Sequence, residues 1–240
     1  MSTTIFQDGQ PTLPAAGVRG GRCPDELLAR YGEVLDGGRL NWTQYHNLGR
    51  RLGSGGQGVV FLTTRKGTDG FTLPVALKIF SPERYESEDR YSAAMQGIAR
   101  VSARVAQIQQ DNLLDVQNFV EQRQIRIMEM EWIDGYDLSR LLAPDLLEKT
   151  RERVTASRWE YLNNVIVTPG SRQSRLKPGV AIAIVRECLA ALAALHRANI
   201  LHGDIKSSNI MVKRTGNAKI IDIGSAVTLE TAPSLSLIHI

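Results

Sequence analysis

The chain has 240 residues, enough for one large domain or two small ones, and its 42% hydrophobic and 22% charged content excludes wholesale disorder and fibrous repeats. Its 29 basic and 25 acidic side chains sum to +4, too thin an excess to indicate a nucleic-acid partner. The two cysteines, Cys23 and Cys188, stand far apart, which leaves no disulfide framework or C-x-x-C site and suits a reducing cytoplasm.

Residues 1–42 read as a flexible leader rich in glycine and proline, without the basic stretch and apolar core of a signal peptide. One short helix, Pro24 to Leu35, interrupts it, with Pro24 at a first-turn position and Asp25 and Glu26 at its positive end. From Tyr45 the texture changes. Tyr45–Leu52, Val59–Arg65 and Leu73–Phe80 are short β-prone runs, separated by the glycine cluster at 53–58 and by KGTDG at 66–70, the spacing of an antiparallel sheet. A helix is predicted over Ser87 to Gln110, with Met95, Ile98, Val101, Val105 and Ile108 at three- and four-residue intervals. Strands follow at Leu113–Glu121 and Gln124–Ile133.

Residues 144–178 hold seven basic and four acidic side chains and read as an inserted, partly helical, solvated surface segment. The apolar helix of Val180–Ala198 comes next, with Arg186 and Glu187 in its middle, a buried helix and no membrane span. Short strands are predicted at Asn209–Val212 and Lys219–Ile221. Five strands with one helix, followed by a mainly helical half, make an α+β pattern. The last six residues, LSLIHI at 235–240, match one reading frame of a common sequencing-library transposon adaptor. They are expected to be an artefact on a gene cut short, which would leave the truncated chain itself inactive, and are left out of fold reasoning.

Four motifs carry chemistry. GSGGQGVV at 53–60 fits G-x-G-x-x-G-x-V, with glycines where backbone N–H groups must approach phosphate oxygens. A strand follows it, which argues against a dinucleotide site, and no Gly-Lys-Ser/Thr makes it a Walker A loop. VALK at 75–78 brings Lys78 to an adjacent strand. HGDIKSSN at 202–209 holds Asp204, Lys206 and Asn209 as D-x-K-x-x-N, and IIDIGSA at 220–226 sends Asp222 out of an apolar strand, a costly place for an unpaired acid.

In this order the four resemble the protein kinase signature set over about residues 43–230. The resemblance implies a two-lobe fold, with an N-lobe of five antiparallel strands and one helix at 43–134 and an incomplete, mainly helical C-lobe at 135–234. It also implies an ATP-dependent serine/threonine protein kinase with Mg²⁺ as cofactor, cytoplasmic, acting on protein Ser or Thr hydroxyls. Gly53, Gly55 and Gly58 would cover the phosphates, Val60, Ala76 and Met211 would wall the adenine, and Lys78 would hold the α- and β-phosphates. Met130 would be the gatekeeper, the backbone of Glu131 and Ile133 would bond the adenine edge, and Asp137 would reach the ribose. Asp204 would accept the substrate proton and Lys206 would neutralise the moving phosphoryl group, with Asn209 and Asp222 as metal ligands.

The chain departs from the pattern in places. The arginine of H-R-D is Gly203, which implies activity free of an activation-loop phosphate switch. D-F-G is Asp222-Ile223-Gly224, a conservative packing change. The helix acid that pairs with the β3 lysine is missing where it is expected: one count falls on Val101, another on Met95–Ile98 with Gln96 the only long polar side chain. The helix is shifted, or Gln96 substitutes, or the pair is absent. A pseudokinase that binds nucleotide or a partner is therefore an alternative, and His202-Gly203-Asp204 with Ile221-Asp222-Ile223-Gly224 also fits an aminoglycoside- or choline-type phosphotransferase.

Overall fold

The computed structural model describes residues 25–36, 46–143, 151, 154–168 and 174–229. The segment 235–240, most of the leader and part of the insertion lie outside the described residues. Helix α1 (Asp25–Asp36) belongs to a separate unit; the described residues from His46 onward form one body.

That body begins with a sheet of five antiparallel strands in the order β1-β2-β3-β5-β4. They are β1 (His46–Gly55), β2 (Gly58–Lys66), β3 (Thr72–Phe80), β4 (Val116–Gln122) and β5 (Ile125–Glu131). β1 and β2 run on through the glycines to a two-residue turn at Gly56-Gln57, with Gly55 paired to Gly58. β3 is the central strand, and Val75, Ala76, Leu77, Lys78 and Phe80 along it are all buried.

Helix α2 (Glu88–Val105) starts where expected. Ser87 caps it by accepting from the Arg90 N–H at 3.2 Å, with Glu88 and Asp89 in the first turn. It ends five residues before the predicted Gln110. The stretch beyond is claimed by a distant strand: the Asn112 side chain donates to the Ala218 carbonyl at 2.9 Å, and the Asn112 carbonyl accepts from the Ile220 N–H at 2.8 Å. For the same reason β4 begins at Val116 and not at Leu113, because Leu113 pairs with Ile220 and the Leu114 N–H donates to its carbonyl.

Past β5 come β6 (Gly135–Asp137) and the short helices α3 (Leu138–Leu141) and α4 (Ala156–Tyr161). A π-helical turn (Leu162–Ile166) then leads to the strand pair β7 (Val167–Thr168) and β8 (Arg175–Leu176). The insertion is not simply a solvated surface, because Leu162, Ile166 and Val167 are buried in the main core. One of its basic side chains is also engaged. Arg158 reaches Asp134 at 3.4 Å and lies over the Tyr136 ring.

Helix α5 (Pro178–Arg197) has Pro178 in its first turn and buries Ile184, Cys188, Ala191, Ala194 and Leu195 at helical spacing. By length and composition it could cross a bilayer, but here that buried face is part of the protein core. Its central Glu187 accepts from the Ala218 N–H at 2.6 Å and so fixes the following hairpin. That hairpin is β10 (Ile210–Lys213) and β11 (Ala218–Ile220), with β6 on its other side; β9 (Ile200–Leu201) pairs with β12 (Val227–Thr228). One apolar core joins the sheet, α2 and this second half, so the loops before β10 and after β11 stand on rigid supports.

Candidate active site

The glycine hairpin has two kinds of glycine. Gly58 has φ 137°, and a Cβ there would lie 2.0 Å from the Ile79 carbonyl oxygen; β2 and β3 could not cross at this distance with any side chain present. A Cβ at Gly53, Gly55 or Gly56 meets nothing within 4 Å. Packing does not require glycine at those three places, whereas close approach by an outside group would.

Lys78 lies on β3 opposite Val60 and Met128 and is 6% exposed. Its ammonium donates to Asp222 Oδ1 at 2.5 Å and to Gln57 Oε1 at 2.6 Å. A buried ammonium needs such partners. None comes from α2, whose buried side chains are Tyr91, Met95, Val101, Ser102 and Val105. Gln96 is exposed, and its side chain makes no hydrogen bond to any described residue. Of the three possibilities, the structure takes the third: the helix acid pair is absent, and the glycine hairpin supplies the second partner.

The loop 202–209 is tied together by its own polar groups. Asp204 Oδ2 accepts from Lys206 Nζ at 2.7 Å and from Asn209 Nδ2 at 3.0 Å, and the same amide donates to the Asp204 carbonyl at 2.8 Å. The Lys206 hydrogen bond is the main force holding the Asp204 carboxyl below the ordinary carboxylate range. His202 is 2% exposed, and burial pushes its imidazole below the ordinary value. The neutral ring with its proton on Nε2 satisfies both neighbours: Nε2 donates to the Ile221 carbonyl at 3.0 Å, and Nδ1 faces the Asp204 N–H at 3.4 Å. The Ile221 N–H in turn donates to the Asn209 carbonyl at 2.8 Å. Both backbone groups of Ile221 therefore join this loop to the residue before Asp222.

Asp222 has φ 60°, an uncommon left-handed backbone for an aspartate, and its Oδ1 also accepts from the Gly224 N–H at 3.2 Å. Ile223 is 2% exposed and packs in the core. Gly203 explains its own identity: its φ is 76°, and a Cβ would lie 2.4 Å from the Ser225 carbonyl oxygen. An arginine cannot take this backbone without moving the segment after Asp222. Asn209 Oδ1 and Asp222 Oδ2 take part in none of these bonds. Two free oxygens of this kind suit a hard cation that keeps its other positions for phosphate and water.

The remaining sequence-predicted residues are placed unevenly. Ala76 pairs with Met130, both 6% exposed, while Val60 and Met211 are half-buried. Ile133, between β5 and β6, makes no backbone hydrogen bond among the described residues. The Glu131 N–H is taken by the Asp115 carbonyl at 3.0 Å, and its carboxylate pairs with buried Lys219, which also donates to the Leu113 carbonyl at 3.1 Å. Asp137 caps α3 by accepting from the Arg140 N–H at 2.9 Å, and pairs with the Arg140 guanidinium at 3.1 Å. Sequence reasoning missed Gln57, Ser225 and Lys219. Only Lys219, a lysine inside the apolar run AKII, carried a signal of a buried partner.

Residues 46–238 match the protein kinase domain family. The chain is 30% identical over 183 residues to serine/threonine-protein kinase PknD of Mycobacterium tuberculosis, covering 75% of this chain and 22% of that protein. It is 29% identical over 181 residues to PknE of Mycobacterium bovis, covering 75% and 26%. Among solved structures it resembles the M. tuberculosis PknI kinase domain, with a TM-score of 0.51 and 21% identity over 77% of this chain and 60% of that one. The chain therefore belongs to the protein kinase family, of the bacterial serine/threonine type. It spans about a quarter of the length of these curated relatives.

Proposed function

We propose that this site binds ATP and transfers its γ-phosphate to a Ser or Thr hydroxyl of a protein substrate. The observation that carries this reading is the joined pair of clusters: Asp204, Lys206 and Asn209 on one side, Lys78 and Asp222 on the other, linked through Ile221. Phosphoryl transfer needs positioning and charge neutralisation more than covalent help. Gly53 and Gly55 leave room for phosphate oxygens beneath the hairpin, and Lys78 binds the α- and β-phosphates. Ala76, Val60 and Met211 flank the adenine, which meets the backbone of Glu131 and Ile133, with Met130 behind it. Asp137 keeps its place beside the ribose while capping α3.

Asp204 orients the substrate hydroxyl and takes its proton. Its carboxylate is ionised at neutral pH, and Lys206 and Asn209 hold it in place. Asn209 and Asp222 would hold magnesium, which when bound neutralises phosphate charge. The buried free thiol of Cys188 fits a cytoplasmic setting for this part of the protein.

One observation favours a second reading, a nucleotide-binding pseudokinase: the buried face of α2 offers Lys78 no acid. A single experiment decides between them. Incubated with ATP, Mg²⁺ and a generic protein acceptor, the wild type with a complete C-lobe is expected to yield phosphoserine or phosphothreonine, and Asp204→Asn to lose at least about a thousandfold in rate. Nucleotide binding without any transfer by the wild type would leave the pseudokinase.

A further inference from the structure

Gln57 belongs to none of the roles assigned above, yet its side chain bridges Lys78 and the turn after Asp222. Its position is fixed at both ends. The Gln57 carbonyl accepts from the Ser81 N–H at 3.1 Å, which pins the hairpin turn to the end of β3. Its side-chain oxygen accepts from Lys78 at 2.6 Å, and its side-chain nitrogen donates to Ser225 Oγ at 3.1 Å. The amide thus spans from β3 to the turn that follows Asp222. It lies close against that turn, since a Cβ on Gly224 would be 2.3 Å from Gln57 Oε1.

An ammonium has three donors. Asp222 takes one and Gln57 a second. Two phosphate oxygens arriving on Lys78 bring the acceptors to four. Asp222 is a charged partner and a neutral amide is the weaker competitor, so the amide is the group that yields.

We propose that Gln57 is a displaceable plug of the phosphate subsite. Its carboxamide oxygen holds on Lys78 the place of a nucleotide phosphate oxygen, so a phosphate-bearing nucleotide must evict it and adenosine need not. This rests on the reading that Lys78 receives the phosphates, and it makes Gln57 a determinant of nucleotide discrimination. The amide suits the task because it satisfies a donor and an acceptor at once without placing a charge between Lys78 and the ligand.

The test is calorimetric titration of the 240-residue chain with ADP and, separately, with adenosine at fixed Mg²⁺. Gln57→Ala is expected to tighten ADP by about three- to tenfold, the range for the net worth of one ordinary hydrogen bond, and to leave adenosine unchanged. Gln57→Glu places a carboxylate on Lys78 and is expected to weaken ADP by about tenfold, again with adenosine unchanged. Ser225→Ala frees the far end of the amide and is expected to tighten ADP by less than Gln57→Ala does. Adenosine binding also reports that each variant is folded. ADP that binds no more tightly, or more weakly, to Gln57→Ala overturns the plug, as does an equal shift for adenosine. If the wild type binds neither ligand, the nucleotide site itself is refuted and the plug with it. If it binds both and Gln57→Ala changes nothing, only the plug is.

Discussion

The loop at 202–209 and the corner around Lys78 are both charged clusters joined through Ile221, but they are assembled differently. In the loop, Asp204, Lys206 and Asn209 satisfy one another within six residues of chain. At Lys78 the partners come from 21 residues upstream and 144 residues downstream, and the adjacent helix contributes none. A cluster closed by local spacing keeps its geometry wherever its loop is anchored. A cluster assembled from distant segments depends on how those segments pack, and it can exchange one partner for another. The exchange is visible here, where a hairpin amide stands beside the lysine in place of a helix carboxylate.

The largest expected effect on this contrast is the loss of transfer in Asp204→Asn, because the proton acceptor proposed above lies in the local cluster. Next comes Gly203→Arg, which restores the usual family residue. It forces a side chain onto a left-handed backbone and into the Ser225 carbonyl. We expect it to destabilise the protein by roughly 2–4 kcal/mol and lower the thermal midpoint by roughly 5–15 °C. An unchanged midpoint in a thermal melt would show that the segment after Asp222 is free to move away. The smallest effect sharpens the loop side. Lys206→Ala removes the main cause of the low Asp204 pKa, so the Asp204 midpoint is expected to rise toward the ordinary aspartate value, read from its carboxyl carbon by NMR. A midpoint that stays put would mean that Asn209 alone sustains the ionised form.

The same distinction explains what could be read in advance. Strands β1 to β3, the start of α2 and helix α5 follow from alternation, capping and helical spacing, which are properties of consecutive residues. The D-x-K-x-x-N loop and Asp222 were legible for the same reason. The end of α2 and the start of β4 were not, because Asn112 and Leu113 are drawn to β11 across more than a hundred residues. The insertion looked solvated by charge, yet Arg158 docks on Asp134 and Tyr136, while Leu162, Ile166 and Val167 enter the core. Asp137 was read for its reach toward a sugar; its capping of α3 depends on where that short helix begins. Gln57 carried no signal at all. A glutamine in a glycine turn is unremarked until the turn is seen to fold over Lys78.

The most direct measurement is the structure of this chain with a non-hydrolysable ATP analogue and Mg²⁺. The predicted result is adenine between Ala76 and Met211, phosphates on Lys78 beneath the glycine hairpin, and the metal on Asn209 and Asp222, with the Gln57 amide withdrawn from Lys78. A nucleotide bound elsewhere, or phosphates that leave Lys78 paired only with Asp222 and Gln57, would contradict the assignment of this cleft as a phosphoryl-transfer site.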